Sequence, residues 1–460
     1  MKHLYILLLL FIIVIHEINS QNKQVLYGFD EIPQTLLLNP GATVNYKYHV
    51  GIPFLSGVSF QAGVTGDVTI ADVFRNDMIN FNVKYRNALN KLSVNDYIQL
   101  NTQIEILNAG YKLNDKYYIS GGFYTEVDAF MAVPKNILQL INDGNASNLN
   151  KDFLASEVSV KSEVLSVLHV GISKKVDDKL TVGGRLKIYS GIANVTSTEN
   201  KGSFATKLGQ DNIYTHHLNN IDAAVYSSGI YNENNNVEIS TKDIISRSLL
   251  GGNLGLGIDF GITYKINKQT ELTASLLDVG FVNYSKGNRN ASVKGSYNFS
   301  GIEFKYDGTN RNYWEDLKND IESQIPNEED KNSYTVMRPI KFNSSVKHSW
   351  GKSRREETCY DMTYNKFYNN AIGGQLFAVF RPTGPKFAFT SFYERILIKG
   401  VRSKITYTVD DFSYTNFGLG LSVKTGKLNI YGVVDNLFKI ADIADANTTS
   451  FQLGVNLIFK

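Results

Sequence analysis

Asn253–Lys265 reads NLGLGIDFGITYK. On an extended backbone Leu254, Leu256, Ile258, Phe260, Ile262 and Tyr264 share one face, and Asn253, Gly255, Gly257, Asp259, Gly261, Thr263 and Lys265 share the other. A strand in a soluble domain usually runs about five or six residues, whereas a strand tilted across a bilayer needs about nine to eleven. This stretch therefore has the length of a membrane-crossing strand with one apolar face and one small or polar face.

The same unit recurs on both sides of it. The pattern turns at Asn267–Thr270 and resumes with Leu272, Ala274 and Leu276. Upstream, Ile98, Leu100, Ile104 and Ile106 alternate with Gln99, Asn101, Gln103 and Glu105, and a turn at Asn114 and Asp115 leads to Ile119, Phe123 and Val127 opposite Ser120, Tyr124, Glu126 and Asp128. Leu180, Val182, Leu186 and Ile188 follow a turn at Asp177 and Asp178 and face away from Thr181, Arg185 and Lys187. At the end of the chain Phe451, Leu453, Val455, Leu457 and Phe459 share one face, with Asn456 on the other. That terminal strand is read as the signal taken up by the barrel assembly machinery.

Tight turns alternate with long connections at 67–96, 132–155, 197–249, 278–338, 399–411 and 435–448. Short turns at one end and long loops at the other are the layout of an outer-membrane barrel. The strands expected are 46–66, 97–113, 116–131, 156–174, 180–196, 250–266, 271–285, 339–350, 355–367, 370–380, 386–398, 412–424, 427–435 and 449–460, a total of 14. The stretch 355–367 alternates worst, which leaves 12 and 16 open. The fold class is thus all-β, a transmembrane antiparallel β-barrel of about 14 strands with an N-terminal plug segment and short loop helices. A secreted β-sandwich or propeller is the competing reading; it predicts shorter strands and connections of similar length at both ends.

Composition narrows the function. The 460 residues carry 47 basic and 44 acidic side chains, so there is no basic excess for a phosphate backbone and no nucleic-acid partner is expected. A single cysteine, Cys359, rules out an internal disulfide framework and a multi-cysteine zinc site. Lys2 and His3 precede an apolar run from Leu4 to Ile15, and Ser20 is a small residue before Gln21, the pattern of a secretory signal peptide. The expected organisation is a signal peptide at 1–20, a plug or hatch at 21–45 and the barrel at 46–460.

Several segments carry a resemblance: IPQTLLLNP at Ile32–Pro40 followed by Gly51-Ile52-Pro53, KLTVGGRLK at Lys179–Lys187, ASLLDVGFV at Ala274–Val282, and LNIYGVVDN at Leu428–Asn436. Together they resemble a Bacteroidota outer-membrane barrel family of unknown function, similar in layout to FadL-like barrels and type IX secretion shuttle barrels. The resemblance implies a 14-stranded barrel with amino-terminal residues folded into or against the lumen, and no established substrate.

Candidate sites follow from the two faces. The plug is Pro33, Leu36, Leu37, Leu38, Asn39 and Pro40, read as a fixed plug, a movable gate or a loose lead. The lumen-facing charges are Glu105, Glu126, Asp128 and Asp259 against Arg185, Lys187 and Lys265. Mixed signs suggest salt bridges bracing a filled barrel, whereas a single sign would suggest ion selectivity. Inward Gly255, Gly257 and Gly261 leave room for another segment against the wall. Trp314, Leu317, Ile321 and Ile325 predict a helix at 313–325, and Lys135–Asn142 a shorter one. His216 and His217, adjacent on extended backbone, point apart and do not form a metal site; Asp143, Asn145 and Ser147 lack the glycine and glutamate of a calcium loop. No catalytic, cofactor or metal residues are assigned, and an enzyme is not expected. The expected function is binding or uptake of a hydrophobic small molecule through a plugged FadL-like barrel in the outer-membrane lipid. The alternative is a non-transporting scaffold for a secretion-system or surface-protein partner.

Overall fold

The structure is a computed structural model that describes residues 23–459 apart from 211–213, 232–240, 302–311, 353–367, 411, 413, 415 and 440–442. The signal peptide expected at 1–20 lies outside the described residues. The wall is built from β1 (Tyr48–Gly51 and Val58–Val64), β2 (Tyr97–Lys112), β3 (Tyr117–Ala132), β4 (Val160–Lys175), β5 (Leu180–Ser197), β6 (Asn253–Lys265) and β7 (Thr270–Tyr284). It continues with β8 (Tyr334–Met337 and Lys341–Lys352), β9 (Tyr368–Arg381), β10 (Gly384–Ile398), β11 (Val401–Val409), β12 (Asn416–Thr425), β13 (Leu428–Asp435) and β14 (Thr448–Phe459). Each pairs antiparallel with its sequence neighbour, and β14 returns to β1 (Tyr48↔Phe459, Val58↔Leu453), which closes a ring of 14 strands.

Closure satisfies the backbone groups of the wall without an open edge, and alternation then decides what faces outward. On β6, Leu254, Leu256, Phe260, Ile262 and Tyr264 are exposed, while Asn253, Asp259 and Thr263 are buried. Aromatic rings mark both rims of the apolar belt: Tyr48 stacks on Phe459 at 4.3 Å at the short-turn end, and Phe60 on Phe451 at 5.6 Å and Tyr407 beside Phe417 at 5.1 Å nearer the loops. A closed barrel with an apolar exterior and aromatic girdles is an outer-membrane protein.

One expected strand is replaced by another. The strand expected at 355–367 lies outside the described residues, and β8 and β9 on either side pair directly, Lys352 with Tyr368. The connection expected at 399–411 instead contains β11, paired with β10 and β12. Its nine residues follow a tight turn at Gly400, whose φ of +84° favours glycine, and this brevity hid it. In consequence β9 and β10 run opposite to the directions expected, and their turn at Pro382 and Thr383 sits at the loop end. β7 runs to Tyr284, in line with the strand expected at 271–285, so the connection begins after it and not at 278.

Above the loop end, strands at 152–154, 201–208, 214–228, 288–299 and 327–330 pair into a second patch of sheet. The described helices are α1 (Thr35–Leu38), α2 (Ile70–Phe74), α3 (Phe81–Lys91), α4 (Lys135–Asp143), α5 (Thr241–Ser246) and α6 (Tyr313–Gln324). α4 and α6 coincide with the two helices expected; α2 starts at a capping box between Thr69 and Asp72.

Candidate functional site: the filled lumen

The segment from Lys23 to Lys47 folds inside the ring. Val25, Leu26, Tyr27, Phe29, Ile32 and Leu38 form an apolar cluster with Tyr431 and Val433 of β13. The segment's polar groups are bonded to strands all around the wall. The Gln34 amide donates to Glu105 at 2.8 Å and exchanges two 3.0 Å hydrogen bonds with Asn456 of β14. Arg185 donates to the carbonyls of Leu36 and Leu37, Ser275 to that of Leu38 at 2.6 Å, and Lys404 to that of Tyr27 at 2.6 Å. Asp30 pairs with Lys347 at 2.7 Å. The segment's own turns pair carbonyls such as those of Lys23, Leu26, Phe29, Ile32 and Gln34, and wall side chains supply partners to the carbonyls of Tyr27, Leu36, Leu37 and Leu38, as buried backbone requires.

Close approach is made possible by glycine. A Cβ on Gly183 would overlap the Pro40 carbonyl, and one on Gly261 would overlap the Asn39 side chain and the Pro40 ring. Gly255 and Gly257, expected to leave room for the same segment, serve otherwise: a Cβ there would strike the neighbouring strand at Phe281–Val282 and the Tyr189 ring, respectively.

Beside the plug runs a chain of buried charges. Arg185 and Asp259 are direct cross-strand partners on β5 and β6, 3.0 Å apart. Lys187 joins Asp259 (2.9 Å) to Asp278 (2.6 Å), and Lys341 joins Asp278 (2.9 Å) to Glu126 (3.5 Å). Arg338 then bridges Glu126 (2.9 Å) and Glu163 (2.5 Å), while Asn101 links Glu126 to Asp128, the partner of Arg381. Five cations face five carboxylates, so the charges cancel locally and each is held by more than one partner or hydrogen bond. Small cavities of about 30, 10 and 10 Å³ lie against the plug. Each is room for one or two waters.

A family model matches residues 40–435. The chain belongs to DUF5723, a family of unknown function. No curated protein matches the sequence. Among solved structures, a Pseudomonas aeruginosa FadL homologue is 9% identical over 94% of this chain and 95% of its own, with a TM-score of 0.41. The Pseudomonas putida toluene transporter TodX is 9% identical over 96% of this chain and 93% of its own (TM-score 0.37), and the CymD monoaromatic hydrocarbon channel is 9% identical over 96% and 94% (TM-score 0.37). At these values the likeness carries no function across.

In this DUF5723 barrel Pro33, Leu36, Leu38, Asn39 and Pro40 are buried in the lumen, with Leu37 packed against a cluster that includes Tyr124 and Tyr189. Glu105, Glu126, Asp128, Arg185, Lys187 and Asp259 are buried inside the wall; Lys265 sits half-buried at the short-turn end, its backbone paired with Lys179, and takes no part in the charge chain. Phe451, Leu453, Val455, Leu457 and Phe459 face outward on β14. His216 and His217 pair with different partners, Thr206 and Asn298.

Sequence reasoning missed Asp278, Glu163, Arg338, Lys341 and Arg381. Strict alternation from Leu272, Ala274 and Leu276 would put Asp278 in lipid. A β-bulge between Ile258 and Phe260 of β6 and the facing Leu276–Val279 of β7, with Asp278 at a φ of +59°, turns its carboxylate into the lumen instead. Arg338 sits at a comparable break, in the gap between the two halves of β8 and next to Pro339. The available signal was the charge itself: an acid that periodicity assigns to lipid is evidence for a bulge.

Proposed function

We propose that this DUF5723 protein is a closed outer-membrane barrel that works through its loop end, as a scaffold for a protein partner. The observation that supports this reading is the lumen itself, filled by residues 23–47 and fastened by side chains from many strands. Passage of a hydrophobic molecule calls for an apolar pocket of a few hundred Å³. The three cavities beside the plug are water-sized, and the largest of them, though bordered by Leu37, Leu38, Leu277 and Phe377, is also lined by the charged side chains of Lys23, Glu126, Lys187, Asp278 and Lys341. The larger cavity at the loop end, about 460 Å³ between α2, α3 and Asp445, is bordered by Arg75, Asp72, Asp77, Lys84 and Lys91, which pair into ion pairs and give it a polar lining. The loop-end sheet and its helices, in contrast, offer a broad surface outside the membrane. The test is native purification from the source membrane together with planar-bilayer recording. A stoichiometric protein partner lost on removing the 201–228 hairpin, with near-zero conductance, supports the scaffold; an apolar small molecule recovered with the barrel, and no partner, returns the protein to uptake.

A further inference from the structure

The lipid-facing side of β5 is open along part of its length and covered at one place. Leu186 and Ile188 are exposed, yet the next outward position, Ser190, is 0% exposed, as is its cross-strand partner Ser166 on β4; Ile192, two residues further, is 5% exposed. Thr125 on β3 continues the row, its hydroxyl 3.3 Å from that of Ser166. Three hydroxyls in line on the outside of a membrane wall are a liability, since acyl chains cannot hydrogen-bond them.

The cover is the segment that leads into β6, α5 and the wide turn Arg247–Gly251. The Ser190 hydroxyl donates to the Arg247 carbonyl, and the Arg247 guanidinium donates to the carbonyls of Ile192 (3.3 Å) and Gly229 (3.0 Å). A Cβ on Gly252 would overlap the Gly191 carbonyl, so the segment hugs the wall as it enters β6. Ser190 projects from the same face as Leu186 and Ile188, and what it bonds therefore lies on the lipid side. Ile244, Ile245, Leu249 and Leu250 are all exposed, beside polar Thr241, Lys242, Asp243 and Ser246, which are exposed too, and the chain runs directly on to outward Leu254 and Leu256.

We propose that residues 241–251 form an in-plane membrane element: they lie in the outer leaflet against the wall, hide the hydroxyl row from lipid and insert Ile244, Ile245, Leu249 and Leu250 among the acyl chains. Lipid is the occupant because the apolar side chains continue the lipid-facing belt of β5 and β6, and an apolar face beside a hydrogen-bonded one is the pattern of an interfacial element. The role is independent of what docks at the loop end.

The test uses the full-length protein with its sole cysteine removed (Cys359→Ser). Bimane is attached at Ile245→Cys or Leu249→Cys, with Leu256→Cys on the wall as the lipid reference and Lys318→Cys on α6 as the water reference. Each variant is reconstituted in phosphatidylcholine vesicles with brominated acyl chains, after its heat-modifiable mobility shows a folded barrel. All four side chains are outward, so the label leaves strand pairing intact. Quenching at 245 and 249 of at least half that at 256, with little at 318, is the expected result. Quenching at 245 and 249 no greater than at 318, with 256 quenched, overturns the proposal and gives the apolar face to a protein partner.

Discussion

Replacing Asp278 by asparagine should destabilise the barrel without redirecting its fold. The carboxylate is 3% exposed and lies between two ammonium groups, Lys187 at 2.6 Å and Lys341 at 2.9 Å, with the Tyr189 hydroxyl donating at 3.2 Å. Removing one partner of a buried ion pair costs about 3–5 kcal/mol, because the remaining charge stays out of water. Here the lower end applies: Lys187 keeps Asp259 at 2.9 Å and Lys341 keeps Glu126 at 3.5 Å. A cost of about 3 kcal/mol, at a urea slope of about 3 kcal/mol per molar, moves the unfolding midpoint down by about 1 M. Alanine should cost about 1 kcal/mol more than asparagine, because the backbone at 278 is left-handed, a conformation asparagine adopts readily and alanine does not. The assay is reversible urea unfolding in vesicles, followed by tryptophan fluorescence and by heat-modifiable mobility. Asparagine within 1 kcal/mol of the native protein would refute the view that the charge chain braces the wall; alanine no worse than asparagine would refute the role given to the bulge.

Deleting residues 21–40 should leave a folded barrel and raise its conductance from near zero, read in planar bilayers; unchanged conductance from correctly folded protein would mean that wall side chains seal the lumen unaided. Gly261→Val should displace the plug and not the wall, so that the segment before Tyr48 becomes sensitive to limited proteolysis while heat-modifiable mobility is kept. Leu457→Asp with Phe459→Asp should sharply reduce membrane-assembled barrel, since both side chains face lipid, where an aspartate costs about 1–2 kcal/mol or more depending on depth. Asn456→Asp should still assemble, but at lower stability by about 1–3 kcal/mol, because the change removes the donor to Gln34 and places a second carboxylate near Glu105; equal urea midpoints for Asn456→Asp and the native protein would refute the inward contact.

The wall was legible because its period is two and its facing requirement is absolute. Once Leu254 to Tyr264 are assigned to lipid, every long strand that repeats the pattern follows, and a tight turn at Asn114 or Asp177 fixes where each pair begins. Legibility failed where a strand is short or its pattern interrupted. Val401–Val409 carries Ile405 and Tyr407 outward and Lys404 inward, the expected alternation, but over nine residues, whereas β5 has eighteen. A short strand between a tight turn and Asp410 looks like a loop, and the neighbouring apolar and polar residues of 355–367 offered an alternative that kept the count even.

The lumen was legible only by half, in part because bulges and breaks reset the alternation that assigns a side chain to it. Glu105, Glu126, Asp128, Arg185, Lys187 and Asp259 follow from parity, and Arg185 and Asp259 fall on neighbouring expected strands at similar distances from the short-turn end, although the register that makes them direct partners is seen only in the structure. Of the other members of the charge chain, Asp278 at its bulge and Arg338 at the break before Pro339 stand where parity is reset, whereas Glu163, Lys341 and Arg381 keep the regular alternation of their strands and were simply not read. The six expected charges other than Lys265 comprise four acids and two bases, so that set was short of cations. Charge balance therefore supplies information that periodicity lacks. In a barrel whose expected inward acids outnumber its inward bases, missing cations are to be sought both on the inward parity of strands not yet read, as with Lys341 and Arg381, and at breaks beside proline, as with Arg338.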